Sequence, residues 1–172
     1  ATMAYGHGIS VNLVQLARAY TVFASDGELK SATLFKGDGA VAGRPVLKRE
    51  TALAVRRMLE LAVLPGGTAP KAQVPGYRVA GKTGTAHKLE GRGYTNKYVS
   101  SFVGFAPASG PRLIVAVMID EPSAGAHYGG EVAAPVFSTV MGSALRTLGT
   151  PPDAPSDNVI LPAEGSAVRE ET

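Results

Sequence analysis

The chain has 172 residues, enough for one compact domain, and its 45% hydrophobic against 18% charged residues exclude wholesale disorder. A net charge of +3, from 17 basic and 14 acidic residues in no single block, with few aromatics and no Trp, gives nucleic-acid binding no support. There is no cysteine, which excludes disulfides, zinc–thiolate sites and Cys catalysis.

The chain opens abruptly on Ala1-Thr2-Met3, without an initiator Met or a signal-peptide pattern, and a trimmed piece of a longer protein is expected. No stretch is apolar for the length of a membrane span. Residues 9–24 predict a helix with Ile9, Leu13, Leu16 and Tyr20 on one face, Ser10 as its N-cap and Asp26-Gly27 as its stop. Residues 32–47, broken by Gly37, Gly39 and Gly43, read as two short strands or an irregular hairpin. A second helix is predicted over Glu50 to Val63, with Arg56, Arg57 and Glu60 outward and Leu53, Met58, Leu59 and Leu61 on the apolar side. Pro65-Gly66-Gly67 ends it. Three strand-like runs follow: YRVAGKTGTAHK from Tyr77, KYVSSFVGFAP from Lys97 and PRLIVAVMIDEP from Pro111. Short connections between them favour an antiparallel meander. After the Gly-rich loop SAGAHYGGE, residues 132–148 predict a last helix with Pro135 in its first turn. The expected fold class is α+β, an antiparallel sheet flanked by helices, over residues 1–149. Residues 150–172 read as a Pro-rich, polar, flexible tail with little to bury.

Residues 76–83, Gly-Tyr-Arg-Val-Ala-Gly-Lys-Thr, match the phosphate-loop pattern G-x-x-x-x-G-K-T. The run LIVAVMIDE, residues 113–121, resembles the apolar strand that ends in magnesium-binding acids in such ATPases. A nucleotide hydrolase is therefore a serious rival. A phosphate loop needs a buried strand before its first Gly and a helix straight after its Lys-Thr. Here Ala69-Pro70-Lys71-Ala72-Gln73-Val74-Pro75 precedes Gly76, and Gly84-Thr85 and a Gly-containing loop follow Thr83. Tyr77 to Ala80 are strand formers. The pattern lies along a strand, where it cradles no phosphate, and Asp120 and Glu121 read as a solvated strand end.

The Lys82-Thr83-Gly84 triplet is an element of penicillin-binding proteins and class A β-lactamases. PGYRVAGKTGTA, YVSSFVGFAP, VMIDEPSAGAHYGG and APVFSTVM, in that order, resemble the C-terminal half of the class B penicillin-binding proteins. Within that family the likeness is to the septal cell-division transpeptidases. It reaches back to YGHGISVNLVQLARAYTVFASDGE and covers most of residues 5–148. The resemblance implies a β-lactamase/transpeptidase-like domain, present in part, and a D,D-transpeptidase parent. In such an enzyme a serine attacks the D-Ala-D-Ala bond of a peptidoglycan stem peptide. The acyl-enzyme passes to an amine on a neighbouring strand, and β-lactams acylate the same serine. It also implies an inner-membrane protein working on the periplasmic side with cell-division partners, although the anchor is not in this chain.

Acyl transfer needs a nucleophile, a proton shuttle and donors for the developing oxyanion. The resemblance gives Lys82 the role of a cation in the cleft, and Thr83 and Thr85 that of hydroxyls for a substrate carboxylate. It makes the Thr85 N–H half of the oxyanion hole. Gly84 weakens a strand unless something approaches it closely, which suits a substrate lying along the edge. On an ideal strand Lys82 and Thr83 point to opposite faces, so both serve one site only if the strand borders the cleft and twists. The resemblance puts His127, Tyr128 and Gly129 at the cleft border, where Tyr128 packs against the acyl-donor side chain. The plainer reading is an aromatic anchor for a surface loop. His87 is a candidate contact for a substrate carboxylate, or simply a strand end, and His7 reads as structural. The histidines show no i, i+4 pairing, so no metal site is expected. No cofactor is expected either.

The family's nucleophile sits in Ser-x-x-Lys, and no serine here has Lys three residues later. Two triplets spell its Ser-x-Asn element. Ser10-Val11-Asn12 opens a helix, and Ser156-Asp157-Asn158 follows the strand in the wrong chain order. Neither reads as catalytic. The chain alone is therefore expected to be inactive, and the strand edges it exposes to make it self-associate. A non-catalytic β-lactam sensor or scaffold relative is the remaining alternative.

Overall fold

The structure, a computed structural model, describes residues 9–35, 39, 41–91 and 93–160. His7 and residues 161–172 lie outside them.

Helix α1, Leu13–Ala24, starts later than the periodicity suggests. Asn12 is its N-cap: its side chain accepts from the Gln15 N–H at 2.8 Å, and the Gln15 side chain accepts from the Asn12 N–H at 2.9 Å. Reciprocal satisfaction of two orphan donors outcompetes the single bond available to Ser10. Strands β1, Glu28–Lys30, and β2, Gly43–Pro45, pair antiparallel, so one of the two expected short strands precedes residue 32.

Helix α2, Arg49–Leu61, turns a different face inward than expected. Ala52 and Arg56 are buried, whereas Met58 and Leu61 are exposed. The Arg56 guanidinium donates to the Phe23 carbonyl at 2.6 Å and to Asp26 Oδ1 at 2.7 Å. It thereby caps the C-terminal end of α1, where unsatisfied carbonyls gather and a cation is favoured. The expectation of Arg56 outward rested on its charge, and this bonding overrides it.

Strands β3, Ala80–Glu90, β4, Gly93–Ala106, and β5, Leu113–Asp120, form the expected antiparallel meander, in the order β3-β4-β5. Its two faces carry different cores. Phe102, Ala106, Val117 and the inner face of α4, Ala134–Thr147, form one core, with Phe102 edge-on to Phe137 at 4.7 Å. Ala80, Phe105 and Ala108 form the other, against Tyr20, Phe23, Leu59 and Ile114. This alternation along one strand is the period-2 signature of a sheet covered on both sides. The last predicted helix is split: a short α3, Gly129–Val132, lies ahead of α4, so a helical turn begins at Gly129, at the end of the loop bearing His127 and Tyr128.

The stretch 150–160, expected to hang free, is tied to the body. Asp153 accepts from the Arg78 N–H at 2.7 Å and from the Ser109 hydroxyl at 2.7 Å. Asn158 accepts from the Gly76 N–H at 3.0 Å and donates to the Tyr77 carbonyl at 3.1 Å. The polar residues that suggested a tail are the ones satisfying backbone groups at the entry to β3. Asn158 of the decoy triplet is occupied in this structural role.

Candidate active site

Strand β3 is an edge strand among the described residues, with β4 on one side only. The reach of the lysine answers the alternation problem. Thr83 lies directly opposite Phe102 and is buried at 7% exposure, so it faces the α4 side. Lys82 starts from the other face and is exposed. Its ammonium nonetheless reaches Thr83 Oγ1 at 3.0 Å and the Thr83 carbonyl at 3.3 Å. Cation and hydroxyl thus meet although Lys82 and Thr83 start from opposite faces of the strand.

Thr83 Oγ1 in turn donates to Thr68 Oγ1 at 3.1 Å. Nothing in the sequence marks Thr68. It lies 15 residues away in the loop after α2, and the contact exists only once α2 has packed on the sheet.

The residues of the α3 loop sit on the same face. Gly129 donates its N–H to Thr85 Oγ1 at 3.0 Å. A Cβ on Gly129 would lie 2.3 Å from the Ser101 carbonyl oxygen and 2.9 Å from that of Gly84, so the loop backbone rests directly on the strands. The Ser101 hydroxyl donates to the Gly84 carbonyl at 3.3 Å. Ser100 Oγ donates to the His127 carbonyl. Tyr98 lies between two imidazoles, stacked on His127 with centroids at 4.0 Å and tilted against His87 at 4.4 Å. His127 also contacts Tyr128 at 4.4 Å. His87 Nδ1 lies 2.8 Å from the Thr95 carbonyl, a hydrogen bond within the hairpin.

Lys82, Thr83, Gly84, Thr85, His87, His127, Tyr128 and Gly129 are thus assembled along one strand and the loop laid over it. Tyr98, Ser100 and Thr68 join them, and sequence reasoning did not single these out. For Tyr98 and Ser100 a signal existed. Both lie at even spacing on β4, on the face that carries Phe102.

Past the site an exposed ion-pair group joins the strand ends. Lys88 reaches Asp120 at 2.9 Å and Glu121 at 2.7 Å, and Lys97 reaches Glu90 at 2.8 Å. The hydrogen bond from Lys88 holds the Glu121 carboxyl below its ordinary pKa. Hydrogen bonds to Glu121 and then Asp120 raise Lys88 above its own. Glu121 adopts a φ of +52°, unusual for a side chain, where β5 gives way to the loop bearing His127. Among the described residues no group of His, Asp and Glu is arranged to hold a metal ion, and no helix is long and apolar enough to cross a membrane.

The phosphate-loop alternative does not match this geometry. Gly76 sits in a turn at φ +83°, and after Lys82-Thr83 the chain continues as a strand to Glu90. No helix N-terminus follows to receive a phosphate.

Comparison with known proteins gives the same direction. The family model described as penicillin binding protein transpeptidase domain matches residues 1–142. The chain is 45% identical over 159 residues to the probable peptidoglycan D,D-transpeptidase PbpC of Pseudomonas aeruginosa, covering 92% of this chain and 28% of that protein. It is 43% identical over 156 residues to peptidoglycan D,D-transpeptidase FtsI of Escherichia coli K12, covering 90% and 26%. The apo transpeptidase domain of Burkholderia pseudomallei penicillin-binding protein 3 superposes with a TM-score of 0.84 at 55% identity, over 90% of this chain and 47% of that one. The chain thus spans 28% and 26% of the two sequence relatives. It belongs to the penicillin-binding protein transpeptidase family, class B, and comprises part of such a domain.

Proposed function

We propose that this chain forms the substrate-binding edge of a peptidoglycan D,D-transpeptidase whose serine nucleophile lies in another part of the protein. The observation that carries the reading is the edge of β3, where the Lys82 ammonium is held at Thr83 Oγ1 at 3.0 Å. An exposed strand edge offers backbone groups to an extended peptide, and a cation beside it favours a carboxylate-ended substrate.

In this reading a stem peptide ending in D-Ala-D-Ala lies along β3. The serine oxygen attacks the penultimate carbonyl, and the C–N bond to the terminal D-Ala breaks. That D-Ala departs as the amine after taking a proton. An amine from a second stem peptide then displaces the serine. Lys82 stabilises negative charge in the cleft, and Thr83 and Thr85 orient the terminal carboxylate. The Thr85 N–H is one of two donors to the oxyanion. His127, Tyr128 and Gly129 border the acyl-donor side, and His87 stands further along the strand. No metal or cofactor takes part in these steps. β-Lactams, whose strained amide mimics the scissile bond, acylate the same serine. The parent acts on the periplasmic side of the inner membrane with the cell-division machinery. Residues 1–149 are part of its transpeptidase domain, and the segment from 150 is an extension of it.

Fluorescent penicillin tests the reading. The longer protein, with its serine, takes a covalent label that unlabelled penicillin blocks. The 172-residue chain takes none, and labelling of this chain alone would refute the assignment. A longer protein that is labelled but cross-links no stem peptide would be a β-lactam sensor.

A further inference from the structure

The α4-facing side of the β3–β4 pair is a ladder of three rungs: His87 opposite Tyr98, Thr85 opposite Ser100, and Thr83 opposite Phe102. Directly opposed residues of an antiparallel pair project to the same face. The loop over this face is therefore held by two neighbouring rungs. The Tyr98 ring stacks on His127. The next rung takes the backbone on either side of Tyr128: Ser100 Oγ donates to the His127 carbonyl, and Thr85 Oγ1 accepts from the Gly129 N–H. Ser100 is fully buried, and its hydroxyl has this loop carbonyl as its acceptor.

We propose that Ser100 is a positioning residue for acyl transfer, resting on the function proposed above. Its hydroxyl fixes the height of the 127–129 backbone over β3. This sets where Gly129 meets Thr85, and hence where Thr85 and Tyr128 face an acyl donor. Without the donor the His127 carbonyl loses the Ser100 hydroxyl, the loop lifts, and the Thr85–Gly129 bond lengthens with it. Reacting groups displaced by a fraction of an ångström lose rate out of proportion to lost stability.

The test is the acylation kinetics of the longer protein with a fluorescent penicillin. Ser100→Ala removes the donor. Ser100→Cys keeps a similar volume with only a weak donor, and Ser100→Thr restores the hydroxyl. The expected result is a fall of about ten-fold in maximal acylation rate for the Ala and Cys variants, the scale of one buried hydrogen bond. Recovery is expected in the Thr variant, with melting temperatures that do not follow the same order. A merely structural role would move stability and rate together, and Thr, the bulkier residue, would rescue neither. Acylation of the Cys variant within two-fold of wild type overturns the proposal, as does a Thr variant no faster than Ala. Failure of the wild-type protein to be labelled would instead sink the transpeptidase reading itself.

Discussion

Two buried residues concentrate the consequences of single substitutions. A Cβ on Gly130 would sit 2.0 Å from the Thr68 carbonyl oxygen, a backbone atom that cannot swing aside. Gly130→Ala must therefore push α3 away from the segment that holds Thr83. Overpacking of this kind costs about 1–3 kcal/mol. A lower thermal midpoint is expected, together with a weaker Thr83–Thr68 contact seen as faster amide exchange around Thr68. Arg56 is the second. Its guanidinium is buried, but its partner Asp26 is nearly half exposed, so the ion pair is partly screened and the bonds to the Phe23 carbonyl dominate. Arg56→Ala leaves that carbonyl without a donor and is expected to cost about 1–3 kcal/mol in urea unfolding. Arg57→Ala, on the exposed side of the same helix, should stay within about 0.5 kcal/mol. Charge alone misleads at such a position: Arg56 and Arg57 are adjacent and chemically identical, and only the end of α1 distinguishes them. Thr68, and the partner of Ser100 though not the face it lies on, were illegible for a similar reason. Serine and threonine carry no signal of which distant backbone or hydroxyl they will meet.

At the scale of elements, periodicity and local chemistry located the meander, the turn glycines and the helices to within a few residues. The strand bearing Lys82 was legible because its flanking residues are strand formers, and that also dissolves the phosphate-loop match. The cap of α1 was legible in principle, since Asn12-x-x-Gln15 spells a capping box. How α1 meets the sheet has a pH consequence that sequence could not give. Tyr20 packs edge-on to Phe23 at 5.7 Å, and burial pushes its phenol up to about 12. The unfolded chain releases that proton near the ordinary tyrosine value and the folded chain only near the raised one. Between the two the folded state binds more protons, so stability falls as pH rises. The contribution is complete below the ordinary value and gone above the raised one. Thermal melts of the wild-type chain are expected to drop steeply over this alkaline window, and those of Tyr20→Phe to drop less. Equal slopes for the two proteins would place the alkaline sensitivity elsewhere.

For the whole molecule the decisive feature is the outer edge of β5. Leu113 to Ile119 is an unbroken apolar run, without proline, charge or bulge, and β5 has no strand beyond it among the described residues. Runs of this kind belong to strands covered on both faces and paired on both edges. Natural edge strands are instead blunted by charge, proline or shortness. The faces of β5 are occupied, with Val115 and Val117 toward α4 and Ile114 toward Tyr20 and Phe23. The free edge remains, and Met118 beside it is half exposed. In isolation two copies can satisfy this edge by pairing β5 with β5 antiparallel, a symmetric contact that closes. The expected result is a dimer, or larger species, in light scattering at micromolar concentration. Met118→Lys, which puts a charge on the edge strand without entering either core, shifts the population toward monomer. Adding the remaining part of the transpeptidase domain should do the same by supplying the missing strand. A clean monomer that melts cooperatively without it would mean that the edge is shielded by some other part of the chain, and that the apolar run of β5 is satisfied by α1 and α4 alone.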